Sequence, residues 1–219
     1  MRFDQPWKAP VVMESRVTSP LHKTYRRIRF GEPLIVVSGL PRSGTSMTMQ
    51  MLEAGGLAVA TDGIRKPGED NPKGYYEYER VKELDKGLDQ SWLKEFRGKA
   101  IKIISFLLKD LPDTNNYKIV FMRRNIHEVL ASQAKMLVNR GEANETSDEK
   151  MLELYKDHLW KVDYLMKHRP CFDLLNVDYK EVVENPRRQA QRIGEFLGNR
   201  VDVEKMAIAV DDKLYRNRR

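Results

Sequence analysis

A short apolar, β-branched run that feeds straight into a glycine-spaced loop restricts this chain more than any other feature. The stretch is PLIVVSGLPRSGTSMTMQMLEAGG, residues 33–56. Residues 33–39 have the composition of a strand buried on both faces. Gly39 and Gly44 carry the GxxxxG spacing that lets backbone N–H groups curl around an oxyanion. Met47, Met51 and Ala54 then fall at helical spacing, and Gly55 and Gly56 stop the helix. Two glycines alone define only a turn. Set between a buried strand and a helix N-terminus, they predict an anion site. The loop lacks the lysine of nucleoside-triphosphate enzymes, because Thr45 stands in that position. Its cation is Arg42, a planar fork suited to two oxygens of a phosphate or sulfate. Thr45 and Ser46 add hydroxyl donors.

The same alternation of periods continues along the chain. Residues 99–105 (KAIKIIS), 117–122 (YKIVFM) and 172–177 (FDLLNV) are further strand candidates. Helical patterns occupy 125–140, 147–168 and 186–197, the last opened by an Asn185 cap with Pro186 at its first position. Strands separated by helices predict an α/β fold: a three-layer sandwich with a mostly parallel sheet and a P-loop-like strand–loop–helix. Ligands of such folds gather at the carboxyl ends of the strands. Residues 1–32 read as a basic, proline-punctuated arm, and 33–219 as a single α/β domain. A length of 219 residues suits one substantial core.

Composition narrows the partners. The formal net charge is +7 and the sequence pI about 9.4, which favours anionic ligands without choosing among them. Apolar residues make up 41% of the chain and charges of both signs are interspersed, unlike a disordered tail. The single cysteine, Cys171, excludes an internal disulfide framework and suits a reducing compartment. With no apolar run of signal-peptide or membrane-span length, the expectation is a soluble, cytoplasmic protein. No nucleic-acid-binding motif is present.

Three stretches together carry a family resemblance. GLPRSGTS after a strand resembles the 5′-phosphosulfate loop of the sulfotransferases, which use 3′-phosphoadenosine 5′-phosphosulfate (PAPS) and release PAP. YKIVFMRRNIHEVLAS resembles that family's second signature, an Arg-Asn pair ending a strand with a serine eight residues beyond: Arg124, Asn125 and Ser132. DYKEVVENPRRQAQRIGEFLG, with Tyr179, looks like a later segment of the cytosolic and bacterial sulfotransferases. The resemblance spans roughly residues 34–198. It implies PAPS held by Pro41, Arg42, Ser43, Gly44, Thr45, Ser46, Arg124, Ser132 and Tyr179, with no metal. An arginine at a strand end and a nearby hydroxyl suit a doubly charged 3′-phosphate, which separates PAPS from ATP. The plainer alternative for Arg124 is a pair with Glu128, and for Asn125 a helix cap.

Sulfuryl transfer also needs charge stabilisation on the leaving side and a proton acceptor on the attacking side. Arg42 and Lys102 are the candidates for the first task. Lys102 matches the lysine of the family's Lys-Thr-His stretch, but Ile104 stands where that histidine belongs. Other branches of the family use a glutamate after the first helix, and GEDNPKGYYEYERVKEL (68–84) offers several. Glu77, between a loop and an apparent helix, ranks first, Glu69 second and Asp70 third. The plainer reading of Glu77 is a helix-start carboxylate.

The four histidines, His22, His127, His158 and His168, lack zinc-site spacing. Trp92, Trp160, Tyr75 and Tyr76 are candidate pocket aromatics, although core packing explains aromatics more often. The basic tail LYRNRR is a candidate contact for the 3′-phosphate. The acceptor is a small molecule, glycan or peptide, unspecified by any motif, and oligomeric state stays open. A small-molecule kinase remains the alternative function, but it should carry Lys at position 45 and a magnesium-binding carboxylate. A non-catalytic nucleotide-binding protein is the other alternative.

Overall fold

Buried strands with apolar residues on both faces need a layer on each side, and the computed structural model has that arrangement. It describes residues 20–62, 76–141 and 146–210. Helix α1 (Pro20–Phe30) precedes strand β1 (Leu34–Gly39), helix α2 (Thr45–Ala54), strand β2 (Ala100–Lys102) and strand β3 (Tyr117–Arg123). Helices α3 (Ile126–Arg140) and α4 (Asp148–His168) follow, then strand β4 (Phe172–Asp178), α5 (Tyr179–Glu184), α6 (Pro186–Phe196) and α7 (Val203–Ile208). The sheet order is β2-β1-β3-β4 and every pairing is parallel.

Alternation divides the core into two layers. Leu34, Val36, Ile119 and Phe121 face one side, against Trp92, Leu93, Val162 and Met166. Ile35, Val37, Val120 and Met122 face the other, against Met49, Met51, Ile193 and Met206. Each fully buried aliphatic side chain contributes roughly 1.5–3 kcal/mol, so both layers are needed to hold the sheet.

Parallel register matters more for function, because it brings all four strands to one edge. Val37 lies beside Lys102, Gly39 beside Met122, and Arg123 beside Asp178. Thus the loop after β1, Lys102, the Arg123–Arg124 pair and Tyr179 all emerge at the carboxyl edge.

Three expected elements differ in detail. The strand expected over 99–105 keeps only Ala100–Lys102, and Ser105–Asp110 coils into a 3₁₀ segment. The helix expected after Glu77 is a 3₁₀ segment at Glu79–Lys86. Asn185 precedes Pro186 as expected but makes no side-chain cap. Its backbone already closes α5 by donating to the Glu181 carbonyl at 2.9 Å, and its side chain turns back to Glu181.

Candidate functional site

Left-handed backbone shapes the loop after β1. Gly39, Arg42 and Gly44 have φ of +152°, +67° and +102°. A Cβ on Gly39 would stand 2.4 Å from Ser43 Oγ and 2.8 Å from the Met122 carbonyl oxygen. One on Gly44 would stand 2.4 Å from Tyr179 Cδ2. Both positions therefore require glycine. Helix α2 starts at Thr45 without a side-chain cap. Its first-turn amides thus meet the loop with the positive end of the helix dipole behind them. Thr48 fixes that turn by donating to the Gly44 carbonyl (3.3 Å) and to Met122 Sδ (3.0 Å). Ser43 is 1% exposed, and its Oγ is buried without a hydrogen-bond partner. A buried hydroxyl without a partner, in a cradle of small residues, fits an oxyanion.

Arg42 is the one non-glycine residue of the loop with positive φ, a conformation that costs a bulky side chain about 1–3 kcal/mol. Contacts to both its backbone and its side chain hold it. Arg124 Nη1 donates to the Arg42 carbonyl at 3.0 Å, and Arg42 Nε donates to Ser132 Oγ at 3.1 Å. The expected 5′ and 3′ elements therefore meet directly.

Arg124 is clamped from several sides. Its Nε donates to Glu128 at 3.0 Å, with side chains only 7% and 5% exposed, and its guanidinium lies 4.2 Å from the Tyr179 ring centre. Burial pushes the Tyr179 hydroxyl pKa up, with Arg124 opposing the shift. Glu128 and Ser132 lie four residues apart on α3, so Ser132 shares the face of Glu128, which Arg124 meets. Asn125 caps α3 by accepting from the His127 amide at 2.9 Å. Both plainer readings thus coexist with the site: Asn125 does cap its helix, and Arg124 does pair with Glu128. Arg123 turns away, to Asp163 and Asn176. Tyr179 sits where it does because Asp178 ends β4 and caps α5, accepting from Lys180 and Glu181.

On the other flank, Lys102 Nζ approaches Glu77 Oε1 at 3.7 Å, with side chains 10% and 24% exposed. Glu77 lies in irregular chain before the 3₁₀ segment, not in a helical first turn. The Asp62 amide donates to its carbonyl at 3.2 Å, and the Asp62 carboxylate accepts from the Glu79 amide at 2.6 Å. Neighbouring Tyr76 has φ of +50° and donates to Glu53 of α2 at 2.5 Å.

Glu69, Asp70, Tyr75 and the tail after 210 lie outside the described residues. Trp92 is buried in the core, whereas Trp160 is 68% exposed on α4. Among the described residues no set of three His, Cys, Asp or Glu side chains could hold a metal ion. No described helix is long and apolar enough to cross a membrane.

Sequence reasoning passed over two arrangements. The first is the bond from Arg124 to the Arg42 carbonyl, which depends on a backbone angle that no residue type announces. The second is His158 of α4, whose Nε2 lies 2.8 Å from Ser105 Oγ and whose ring stacks on Phe106 at 3.7 Å. It approaches from 53 residues away and leaves no local signal.

Fold and loop define an α/β protein with a glycine-shaped strand–loop–helix at the carboxyl edge of a parallel sheet. The family model described as sulfotransferase domain matches residues 32–218, and the chain belongs to that family. Its activity is accordingly sulfuryl transfer in general terms. A search of curated proteins finds no match. Among solved structures, a sulfotransferase domain from the curacin biosynthetic pathway has a TM-score of 0.46 at 12% identity, covering 84% of this chain and 89% of that one. An unliganded sugar kinase from Janibacter sp. HTCC2649 has a TM-score of 0.39 at 12% identity, covering 76% and 95%. Both are distant likenesses.

Proposed function

We propose that this chain transfers a sulfuryl group from PAPS to a hydroxyl or amine of a small-molecule, glycan or peptide acceptor, releasing PAP. The observation that carries the reading is the junction of Arg124, the Arg42 carbonyl and Ser132, which ties two anion-directed elements into one unit. A nucleotide with phosphates at both ends asks for such a pair. When bound, PAPS supplies the sulfuryl group and takes back the electron pair of the broken sulfur–oxygen bond.

In this reading the 41–46 loop and the first amides of α2 hold the 5′ end, with Pro41 and Gly44 shaping the turn and Ser43, Thr45 and Ser46 donating. Arg124 and Ser132 hold the 3′-phosphate, and the Tyr179 ring keeps the Arg124 guanidinium flat. Arg42 and Lys102 balance charge on the leaving oxygen, the task a divalent ion performs in kinases. Glu77 keeps Lys102 in place and takes the acceptor's proton. Glu69 is the second-ranked carboxylate for that step. A cytoplasmic setting fits the single buried thiol of Cys171, whose pKa burial pushes up to about 11.

Calorimetric titration with PAP, ATP and a generic oligonucleotide tests the reading. PAP should bind at least roughly tenfold more tightly than ATP, the equivalent of one charge-assisted contact. Equal affinity for ATP, or preference for the oligonucleotide, would sink it.

A further inference from the structure

Helix α1 presents two unlike sides. One is fastened to the domain. Arg26 is 9% exposed and donates to Asn116 Oδ1 (3.0 Å) and to the Asp113 and Asn115 carbonyls (2.7 and 2.9 Å). Asn116 returns bonds to the Arg26 and Gly31 carbonyls, and Lys23 pairs with Asp173 at 2.6 Å. The guanidinium of Arg26 also lies over Phe30.

On the other side, Leu21, Tyr25 and Ile28 form a stripe at helical spacing, 82%, 60% and 81% exposed. At about 100° per residue the stripe lies roughly opposite the Arg26–Phe30 side. Arg29 and His22 flank it on one side and Arg27 on the other. The helix sequence PLHKTYRRIRF contains no acid.

The charge around the stripe selects its occupant. Acids at this end of the molecule are engaged: Glu32 by Arg27 and Arg200, Asp113 by Arg169, and Asp173 by Lys23. Arg29 and the exposed Lys99, just before β2, make no ion pair among the described residues. Two copies meeting through this stripe would bring their flanking cations together. An anionic bilayer matches both parts of the surface, because apolar side chains enter the acyl boundary while lysine and arginine stay at the headgroups.

We propose that α1 is a peripheral docking helix for an anionic membrane surface, lying in the interface with Leu21, Tyr25 and Ile28 inserted. The anchoring residues fix the orientation. Asn116 precedes β3 and Asp173 is the second residue of β4, so α1 lies at the amino edge of the sheet. The loop after β1 lies at the carboxyl edge. Docking therefore leaves the oxyanion site open to water, whichever acceptor it serves.

The test is co-sedimentation of the full chain with vesicles of phosphatidylcholine, with and without phosphatidylserine, at low and high salt. Binding should require phosphatidylserine, fall at high salt, and weaken by roughly tenfold or more in Leu21→Ser/Ile28→Ser, which removes two inserted side chains. Arg29→Gln should weaken it roughly fivefold, the effect of one cation near an anionic surface. Since these side chains point outward, circular dichroism of the variants should match the parent. Absence of phosphatidylserine-dependent binding overturns the proposal, as does equal binding by the double variant. A dimer in light scattering that the double variant abolishes, with no vesicle binding, assigns the stripe to a second copy instead.

Discussion

The two flanks of the carboxyl edge are built differently. Toward β3 and β4, the half proposed to hold the donor is cross-locked: Arg124 touches Glu128, the Arg42 carbonyl and the Tyr179 ring, while Ser132 takes Arg42. Toward β2, the half proposed to receive the acceptor consists of a three-residue strand and 3₁₀ segments at Glu79–Lys86 and Ser105–Asp110. There Lys102 and Glu77, proposed to act on the transfer, stand at 3.7 Å. Short 3₁₀ segments have poorer hydrogen-bond geometry than α-helix and are cheaper to remodel. A cross-locked flank beside a looser one fits the proposed division between donor and acceptor.

Arg124→Ala should break the donor half with the largest effect. It leaves Glu128 buried without its guanidinium, a change that costs about 3–5 kcal/mol of stability. It also removes the proposed 3′-phosphate contact, so PAP affinity should fall about tenfold or more. Arg124→Leu/Glu128→Leu separates the two losses. The double variant should recover most of the melting temperature and still fail to bind PAP. If it binds PAP normally, the 3′-phosphate assignment is wrong.

On the acceptor side the effect should be confined to turnover. With an acceptor in hand, Glu77→Gln should lower kcat by about 10²-fold at nearly constant PAP affinity, the size expected for a lost general base. A parallel fall in PAP affinity would show that the two halves are not separable as drawn. Full turnover in Glu77→Gln with loss in Glu69→Gln would move the base to Glu69.

This asymmetry also explains what the sequence disclosed. The strand–loop–helix at 33–56, the Arg124/Ser132 spacing and strands β1, β3 and β4 are legible, because each is written in local period or fixed spacing. The short β2 is not. KAIKIIS reads as seven residues of strand, but Ser105 leaves the ladder to meet His158, a partner that only tertiary contact supplies. Likewise Asn185 has the composition of a cap, yet α5 runs into it from the N-terminal side and occupies its backbone. Arg42 shows the limit most clearly. Its residue type announces an anion contact, whereas the left-handed backbone that aims its carbonyl at Arg124 belongs to the fold.

Gly44→Ala probes the wall between the loop and the donor half. The added methyl would meet Tyr179 at 2.4 Å in a backbone of φ +102°. Strain of about 1–3 kcal/mol should appear as a lower melting temperature, with weaker PAP binding as Tyr179 moves off Arg124. A stability loss with unchanged PAP affinity would remove Tyr179 from the nucleotide site.

The smallest effect concerns pH, and it should fall on the acceptor half. Burial lowers the His158 pKa, with Asp157 opposing the shift and Lys161 adding to it. Stacking on Phe106 and the bond to Ser105 hold the ring beside the exit of β2. In the unfolded chain the imidazole titrates near 6.5, so as pH falls through that value the unfolded state takes up a proton that the folded state still refuses. Stability is therefore lost between the unfolded pKa and the lower folded one, and the loss levels off below both. His158→Gln should flatten that slope, a change of roughly 1–2 °C in the melting temperature between neutral and mildly acidic buffer. PAP affinity should change with pH alike in the parent and in His158→Gln, because protonation of the PAP phosphates, whose second pKa lies near 6, is common to both. If the two profiles diverge as His158 titrates, the two flanks are mechanically coupled through the sheet edge, and the β2 flank governs the other.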